Sequence, residues 1–307
     1  MGTPDFAVGV LKLLIEEKQP VTAVVTAPDR PAGRGRKLME SAVKKYAASL
    51  PLPVLQPTNL NDESFLQQIK ELEINLIIVV AFRMLPKKVW EIPEYGTFNL
   101  HASLLPQYRG AAPINWAIIN GEEKTGVTTF FIDEQIDTGA IIAKEEVTIA
   151  PDETAGTLHD KLMNIGSELV LKTVQTIEKG EVTAIPQKDH KELKSAPKLN
   201  PENTRIDWTR PGEITERQIR GLSPYPSAWT ELENDVEILK IKIYQAKFKP
   251  ESHEFSPGEI SADKRSLKVA TPDGFLWIEE MQLPGKRKMD IISLLNGFTF
   301  SSTSKMR

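Results

Sequence analysis

The segment INLIIVVAF, starting at Ile74, is almost unbroken in its apolar character. A strand of that kind is stable only if both of its faces are covered, as in a parallel sheet packed between helices. Before it, Glu63 to Leu72 has the apolar spacing of a helix, and the same order occurs once earlier: helical spacing over Phe6 to Glu17, then the β-branched run VTAVVTA from Val21 to Ala27. A short strand is expected around Thr97 to Leu100 and a helix around Pro113 to Ile119. Strands follow over Gly126 to Asp133 and Ala140 to Ile149, and a long amphipathic helix over Thr157 to Lys179. Repeated helix and strand alternation predicts an α/β, Rossmann-like doubly wound domain over residues 1–182.

From about Glu181 to Asn203 the chain becomes polar and carries Pro186, Pro197 and Pro201, the composition of a linker, placed at 183–203. Beyond it a short helix, Glu213 to Arg220, precedes the alternating segments WTELEN, VEILKIKIYQAKF, SLKVATPDG and FLWIEEMQL. Short strands with turn signals between them predict a smaller, OB-like β-barrel domain over 204–307. At the other end, the Gly2-Thr3-Pro4 turn follows Met1 directly, where a doubly wound domain usually has its first strand. Either a few residues were lost when the start was assigned, the reading favoured here and testable by intact mass, or another element fills that slot.

Length and composition narrow the function. A chain of 307 residues suffices for two cores. It has no cysteine, which removes disulfides, thiolate metal sites and a cysteine nucleophile and suits a reducing compartment. No basic leader precedes the first apolar stretch and no run approaches the ~20 apolar residues of a membrane span, so a cytoplasmic protein is expected. The net charge of -4 argues against coating nucleic acid by bulk charge, which leaves local basic patches to be sought one by one. No GxGxxG stands between a strand and a helix, as a nicotinamide-dependent dehydrogenase would require. His101, His159, His190 and His253 are scattered without metal-ligand spacing, so no metal is expected.

The stretch FNLHASLLPQYRGAAP, Phe98 to Pro113, puts polar groups at the end of an expected parallel strand, where open α/β sheets bind ligands. Asn99 and His101 are two apart and point to one side of an extended chain. A side-chain amide can donate to a developing oxyanion and an imidazole can exchange protons near neutral pH, two needs of acyl transfer. Asp137, in DEQIDTGAI, could hold His101 charged and orient it, or position a water for proton removal. Singly, each has a plainer reading as a core histidine or a turn former. Together they point to catalysis.

NLHASLLPQYRG followed by DTG closely resembles the folate-dependent formyltransferases, and the likeness extends to MGTPDFAV, PDRPAGRGRKLM, VVAFRMLP and TRIDW, nearly the whole chain. The resemblance implies a formyltransferase catalytic domain in which Asn99, His101 and Asp137 are catalytic and Ser103, Leu104, Leu105 and Pro106 bind folate. It further implies direct attack by the α-amine of methionyl-initiator tRNA on the formyl carbon of 10-formyltetrahydrofolate, through a tetrahedral intermediate and without a formyl-enzyme. The protein is expected to be a monomer. Two departures stand out: Phe82 and Arg83 replace a common tyrosine and glycine, and Glu40 replaces a common proline.

PDRPAGRGRKLM gathers Arg30, Arg34, Arg36 and Lys37 around two glycines and a proline, mobile cations rather than a packed element. Such cations suit phosphates and base edges, and the resemblance implies that this insertion enters the tRNA acceptor stem. In the C-terminal half Lys240, Lys242, Lys247, Lys249 and Lys286 to Lys288 are either a solvated face or a grip on tRNA phosphates. The rivals are another 10-formyltetrahydrofolate enzyme, acting on glycinamide ribonucleotide or hydrolysing the donor, and a non-catalytic RNA-binding relative.

Overall fold

In the computed structural model the described residues are 1–32, 37–188 and 192–307. The chain opens with α1 (Asp5–Glu16), β1 (Val24–Val25), β2 (Arg30–Ala32) and β3 (Lys37–Met39). Then come α2 (Ala42–Ala47), β4 (Val54–Leu55), α3 (Glu63–Glu71), β5 (Ile77–Val80), α4 (Lys87–Trp90), β6 (Thr97–His101) and β7 (Arg109–Gly110). The middle holds α5 (Pro113–Ile119), β8 (Lys124–Phe131), β9 (Ile141–Thr148), α6 (Ala155–Glu178), β10 (Ser195–Ala196) and α7 (Gly212–Leu222). The end is β11 (Ala228–Asn234), β12 (Glu237–Pro250), β13 (Ile260–Ala262), β14 (Leu267–Thr271), β15 (Gly274–Gln282), β16 (Met289–Asp290), α8 (Ile291–Leu295) and β17 (Lys305–Met306).

These elements form two compact units, but not as contiguous halves: Met1–Gly110, Thr125–Val147 and His159–Ser195 make the first, and Ala111–Lys124, Thr148–Leu158 and Ala196–Arg307 the second. The compact units interleave along the chain, whereas the expected division, 1–182, a linker at 183–203 and 204–307, follows sequence order. The cause is packing: Ile119 of α5 is buried in one core with Ile219 and Leu222 of α7, which draws its segment into the second unit.

In the first unit β5, β6, β8 and β9 lie side by side in that order. β5 and β6 are parallel, with Val79 beside Asn99, and β6 runs antiparallel to β8. One face of β5 sends Ile77 and Val79 into a core with Phe65, Ile69, Leu85 and Val89 from α3, α4 and the turn before α4. The opposite face of the sheet carries α6, and it can approach because residue 166 is glycine: a Cβ there would stand 2.9 Å from the Leu100 side chain. Helices on both faces explain why β5 itself, Ile77–Val80, is apolar at every position.

The expected strand over Val21 to Ala27 shrinks to Val24–Val25, parallel to β4. Between β1 and β5 lie Met1 and Gly2. The Gly2 amide donates to the Val25 carbonyl at 3.0 Å and the Val80 amide donates to the Met1 carbonyl at 2.9 Å, so two residues bridge what a full strand would join. The Met1 amine donates to the Ile78 carbonyl at 2.7 Å, and burial pushes its pKa down to about 5. A cavity of about 350 Å³, lined among others by Leu11, Leu14, Val24, Leu76 and Ile78, adjoins it.

The second unit is a nearly closed antiparallel β-barrel with strand order β13, β14, β15, β12, β11, β17. It closes where the Met306 amide donates to the Gly258 carbonyl at 2.8 Å and Glu259 pairs with Lys305. On β12 Ile241 and Ile243 turn inward while Lys240 and Lys242 turn outward, and register shifts at Ile243 to Ala246 let the 14-residue strand bend. Leu232, Val269, Leu276, Ile278 and Met281 complete the core, and α7 covers it with Ile219 and Leu222.

Candidate active site

All three residues expected to be catalytic belong to the first unit. β6 delivers Asn99 and His101, and alternation along the strand sends both side chains to the face opposite Phe98 and Leu100. Asn99 is half-buried, and its side-chain amide has no hydrogen-bond partner among the described residues. His101 is 8% exposed, so each ring nitrogen has to be accounted for.

Its Nε2 lies 2.8 Å from the Tyr108 carbonyl. A carbonyl only accepts, so Nε2 carries the proton and Nδ1 is the nitrogen left to exchange one. Nδ1 faces Asp137, 3.7 Å from Oδ2, a distance for charge attraction rather than a direct hydrogen bond. The same oxygen of the Asp137 carboxylate is held by the Gly110 amide, which donates to Oδ2 at 2.9 Å. Asp137 has a φ of 57°, a backbone conformation in which Asp and Asn are favoured over other non-glycine residues. Its turn is tied by Asp133, whose Oδ1 accepts from the Thr138 hydroxyl at 2.6 Å. Gly139 completes the motif because a Cβ there would stand 1.7 Å from the Phe131 carbonyl oxygen, which no side chain tolerates.

The expected folate segment is clamped to β8. The Ser103 carbonyl accepts from the Thr128 hydroxyl at 2.6 Å, and that hydroxyl oxygen accepts from the Leu105 amide at 3.2 Å. Ser103 and Leu105 are fully buried, while Leu104 and Pro106 keep part of their surface exposed. The Lys144 ammonium donates to the Leu105 carbonyl, and burial lowers its pKa. Thr128, Tyr108 and Lys144 were not expected here. Each sits in an ordinary strand or loop pattern and acts through the backbone or on it, which no motif announces.

The basic insertion is only partly a loop. β2 and β3 pair antiparallel, Arg30 beside Met39, Pro31 beside Leu38 and Ala32 beside Lys37, so the expectation of an unpacked segment is corrected for its two arms. Arg30 is exposed on the first arm, Lys37 lies on the second, and Arg34 and Arg36 lie outside the described residues. Lys44 binds both feet of the hairpin: its ammonium donates to Asp29, just before β2, and lies 3.1 Å from Glu40, just after β3. Glu40 thus shares a single ammonium with Asp29. Arg83 donates to the carbonyls of Pro57 and Thr58, the latter at 2.8 Å, which ties down the loop before α3.

On the barrel, Lys240 stands 3.6 Å from the Trp229 ring, and Lys249 and Lys268 stand 4.1 and 4.5 Å from the partly exposed Trp277 ring. Lys247 and Lys288 pair instead with Glu216 and Glu280. Among the described residues no group of three acidic, His or Cys side chains is placed to hold a metal ion, and no helix is long and apolar enough to cross a membrane.

Comparison with known proteins agrees along the chain. Residues 1–174 match the family described as Formyl transferase, and residues 198–299 match Formyl transferase, C-terminal domain. A methionyl-tRNA formyltransferase of Flavobacterium johnsoniae is 57% identical over 306 residues, covering 100% of this chain and 97% of that protein. One from Bacteroides fragilis is 50% identical over 312 residues, covering 100% and 96%. Among solved structures, the sugar 3N-formyl transferase WlaRD, determined in the presence of dTDP and 5-N-formyl-THF, superposes with a TM-score of 0.63 at 21% identity over 93% of this chain and 97% of that one. HypX from Aquifex aeolicus, in complex with tetrahydrofolic acid, gives 0.59 at 23% over 82% of this chain and 43% of that one. These two likenesses establish the fold.

Proposed function

The chain belongs to the formyl transferase family, and from that membership we propose that it transfers the formyl group of 10-formyltetrahydrofolate to the α-amine of methionyl-initiator tRNA. The product is N-formylmethionyl-tRNA for translation initiation in the cytoplasm. What carries the reading is 57% identity to a methionyl-tRNA formyltransferase over the full length, both units included.

In this reading the amine attacks the formyl carbon directly. A C–N bond forms, the carbonyl electron pair moves onto oxygen, and collapse of the tetrahedral intermediate expels N10 of the folate, which takes up a proton as the amine gives one up. Asn99, with its amide unpartnered among the described residues, donates to the oxyanion. His101, its Nε2–H occupied by the Tyr108 carbonyl, acts through Nδ1. Asp137 faces that nitrogen at 3.7 Å and accepts the amine proton through water. The segment Ser103, Leu104, Leu105 and Pro106 binds the folate. Arg30, Arg34, Arg36 and Lys37 engage the acceptor stem, and the Trp277 and Trp229 surfaces with their lysines contact the tRNA backbone and bases. The protein works as a monomer.

The test is to incubate the protein with methionyl-initiator tRNA and 10-formyltetrahydrofolate and to measure formylmethionyl-tRNA. Product that disappears in His101→Ala supports the reading. Release of formate and tetrahydrofolate without tRNA would replace it with a hydrolase, and transfer to glycinamide ribonucleotide alone with that enzyme.

A further inference from the structure

We infer that Gln187 is a positioning residue for the active site, holding the turn that presents Asp137. The inference rests on the reading of Asp137 as catalytic. It starts from a segment that composition marks as a linker. Ile185 is paired with Ile141 by two backbone hydrogen bonds of 2.8 Å, an isolated bridge that fixes the chain against the start of β9 and brings residue 187 beside the turn at 137–139.

There the Gln187 amide is fully used. Nε2 donates to the carbonyls of Asp137 and Gly139, each at 2.9 Å, and Oε1 accepts from Arg109 Nε at 3.1 Å and Nη2 at 2.8 Å. Only one orientation of the amide satisfies this, because a guanidinium never accepts and a carbonyl never donates. Gln187 thus couples two loops. One ends at Gly110, whose amide donates to Asp137, and the other carries Asp137 itself in its left-handed conformation. Without the clamp, nothing from this segment holds the two turn carbonyls, and the carboxylate loses its fixed distance to His101 Nδ1. A displacement of about 1 Å at a reacting group can cost on the order of 100-fold in rate.

Gln187→Met keeps the length and removes both hydrogen-bonding ends. Gln187→Glu still accepts from Arg109 but has nothing to donate and turns an oxygen toward two carbonyls. Both variants are expected to lose kcat by about 10- to 100-fold with KM for the formyl donor changed less than about threefold. In an Asp137→Asn background, Gln187→Met should add little further loss, since both act on one group. Full activity in Gln187→Glu, or a loss that multiplies with that of Asp137→Asn, overturns the inference while leaving the proposed reaction standing.

A second readout does not depend on turnover. Exchange of the Gly110 amide, followed by NMR, should accelerate at least tenfold in both variants while the amides of β5 and β6 hold. Unchanged Gly110 exchange overturns the inference whatever the enzyme proves to transfer. A wild-type protein that transfers no formyl group, with Gly110 exchange nonetheless released by the variants, would instead remove the functional reading and keep the clamp.

Discussion

His101 Nδ1 stands 3.7 Å from Asp137 Oδ2, a gap spanned by charge but not by a direct hydrogen bond, while the opposite ring nitrogen is engaged at 2.8 Å by the Tyr108 carbonyl. The imidazole is therefore anchored by the backbone and free to exchange a proton only on the side where the carboxylate is. An anchored ring with one working nitrogen suits proton exchange at a single reacting centre.

Removing either partner should strike turnover rather than folding. His101→Ala is expected to lower kcat by about 10²- to 10⁴-fold. Asp137→Asn retains an oxygen for the Gly110 amide but not the charge, and about 10²-fold is expected. Initial rates of formyl transfer, with circular dichroism as the folding control, check both.

Asn99→Ala separates stability from catalysis most cleanly. The Asn99 side chain is half-buried and has no hydrogen bond to lose among the described residues, so urea unfolding should shift by no more than ~0.5 kcal/mol. If its amide serves the oxyanion, kcat falls about 10²- to 10³-fold in the same variant. A fall in stability without a fall in rate would return Asn99 to an ordinary strand position.

The paired replacement of Arg34 and Arg36 by Ala should weaken tRNA binding with little effect on folate affinity. Each phosphate that an arginine no longer neutralises should also reduce the slope of log K against log salt by roughly 0.7 to 0.9. Filter binding across a salt series measures both quantities, and an unchanged slope would take these two arginines off the RNA.

Asp29→Asn tests the foot of the hairpin through pH. The hydrogen bond from the Lys44 ammonium, and after it the one from Gln56, holds the Asp29 carboxyl below its ordinary pKa of 3.8. A carboxyl lowered on folding stabilises the protein above its unfolded value and loses that contribution as pH falls through the folded one. Wild type should therefore be more stable than Asp29→Asn at pH 7, with the gap closing as pH falls below 3.8. Urea midpoints at a series of pH values give the comparison, and a gap that persists in acid would place the effect elsewhere.

Much was legible in the residues alone. Apolar patterning is local: a 3.6- or 2-residue repeat announced α1, α3, α6, β8 and the barrel strands, each of which must bury one face, and an unbroken apolar run announced β5, which is covered on both. Asn99 and His101 could be put on one side of a strand for the same reason, and the DTG motif carried its turn chemistry with it. Tertiary structure alone decided the rest. The protonated nitrogen of His101 is chosen by a carbonyl seven residues on, and the Asp137 turn is clamped by Gln187, 50 residues away. One lysine closes the feet of the hairpin, and α5 joins the barrel's core. These are polar or packing partnerships set by tertiary geometry, and a hydrogen bond leaves no repeat in the sequence on either side of it. Periodicity records which face is buried; what meets that face is settled only when the chain folds.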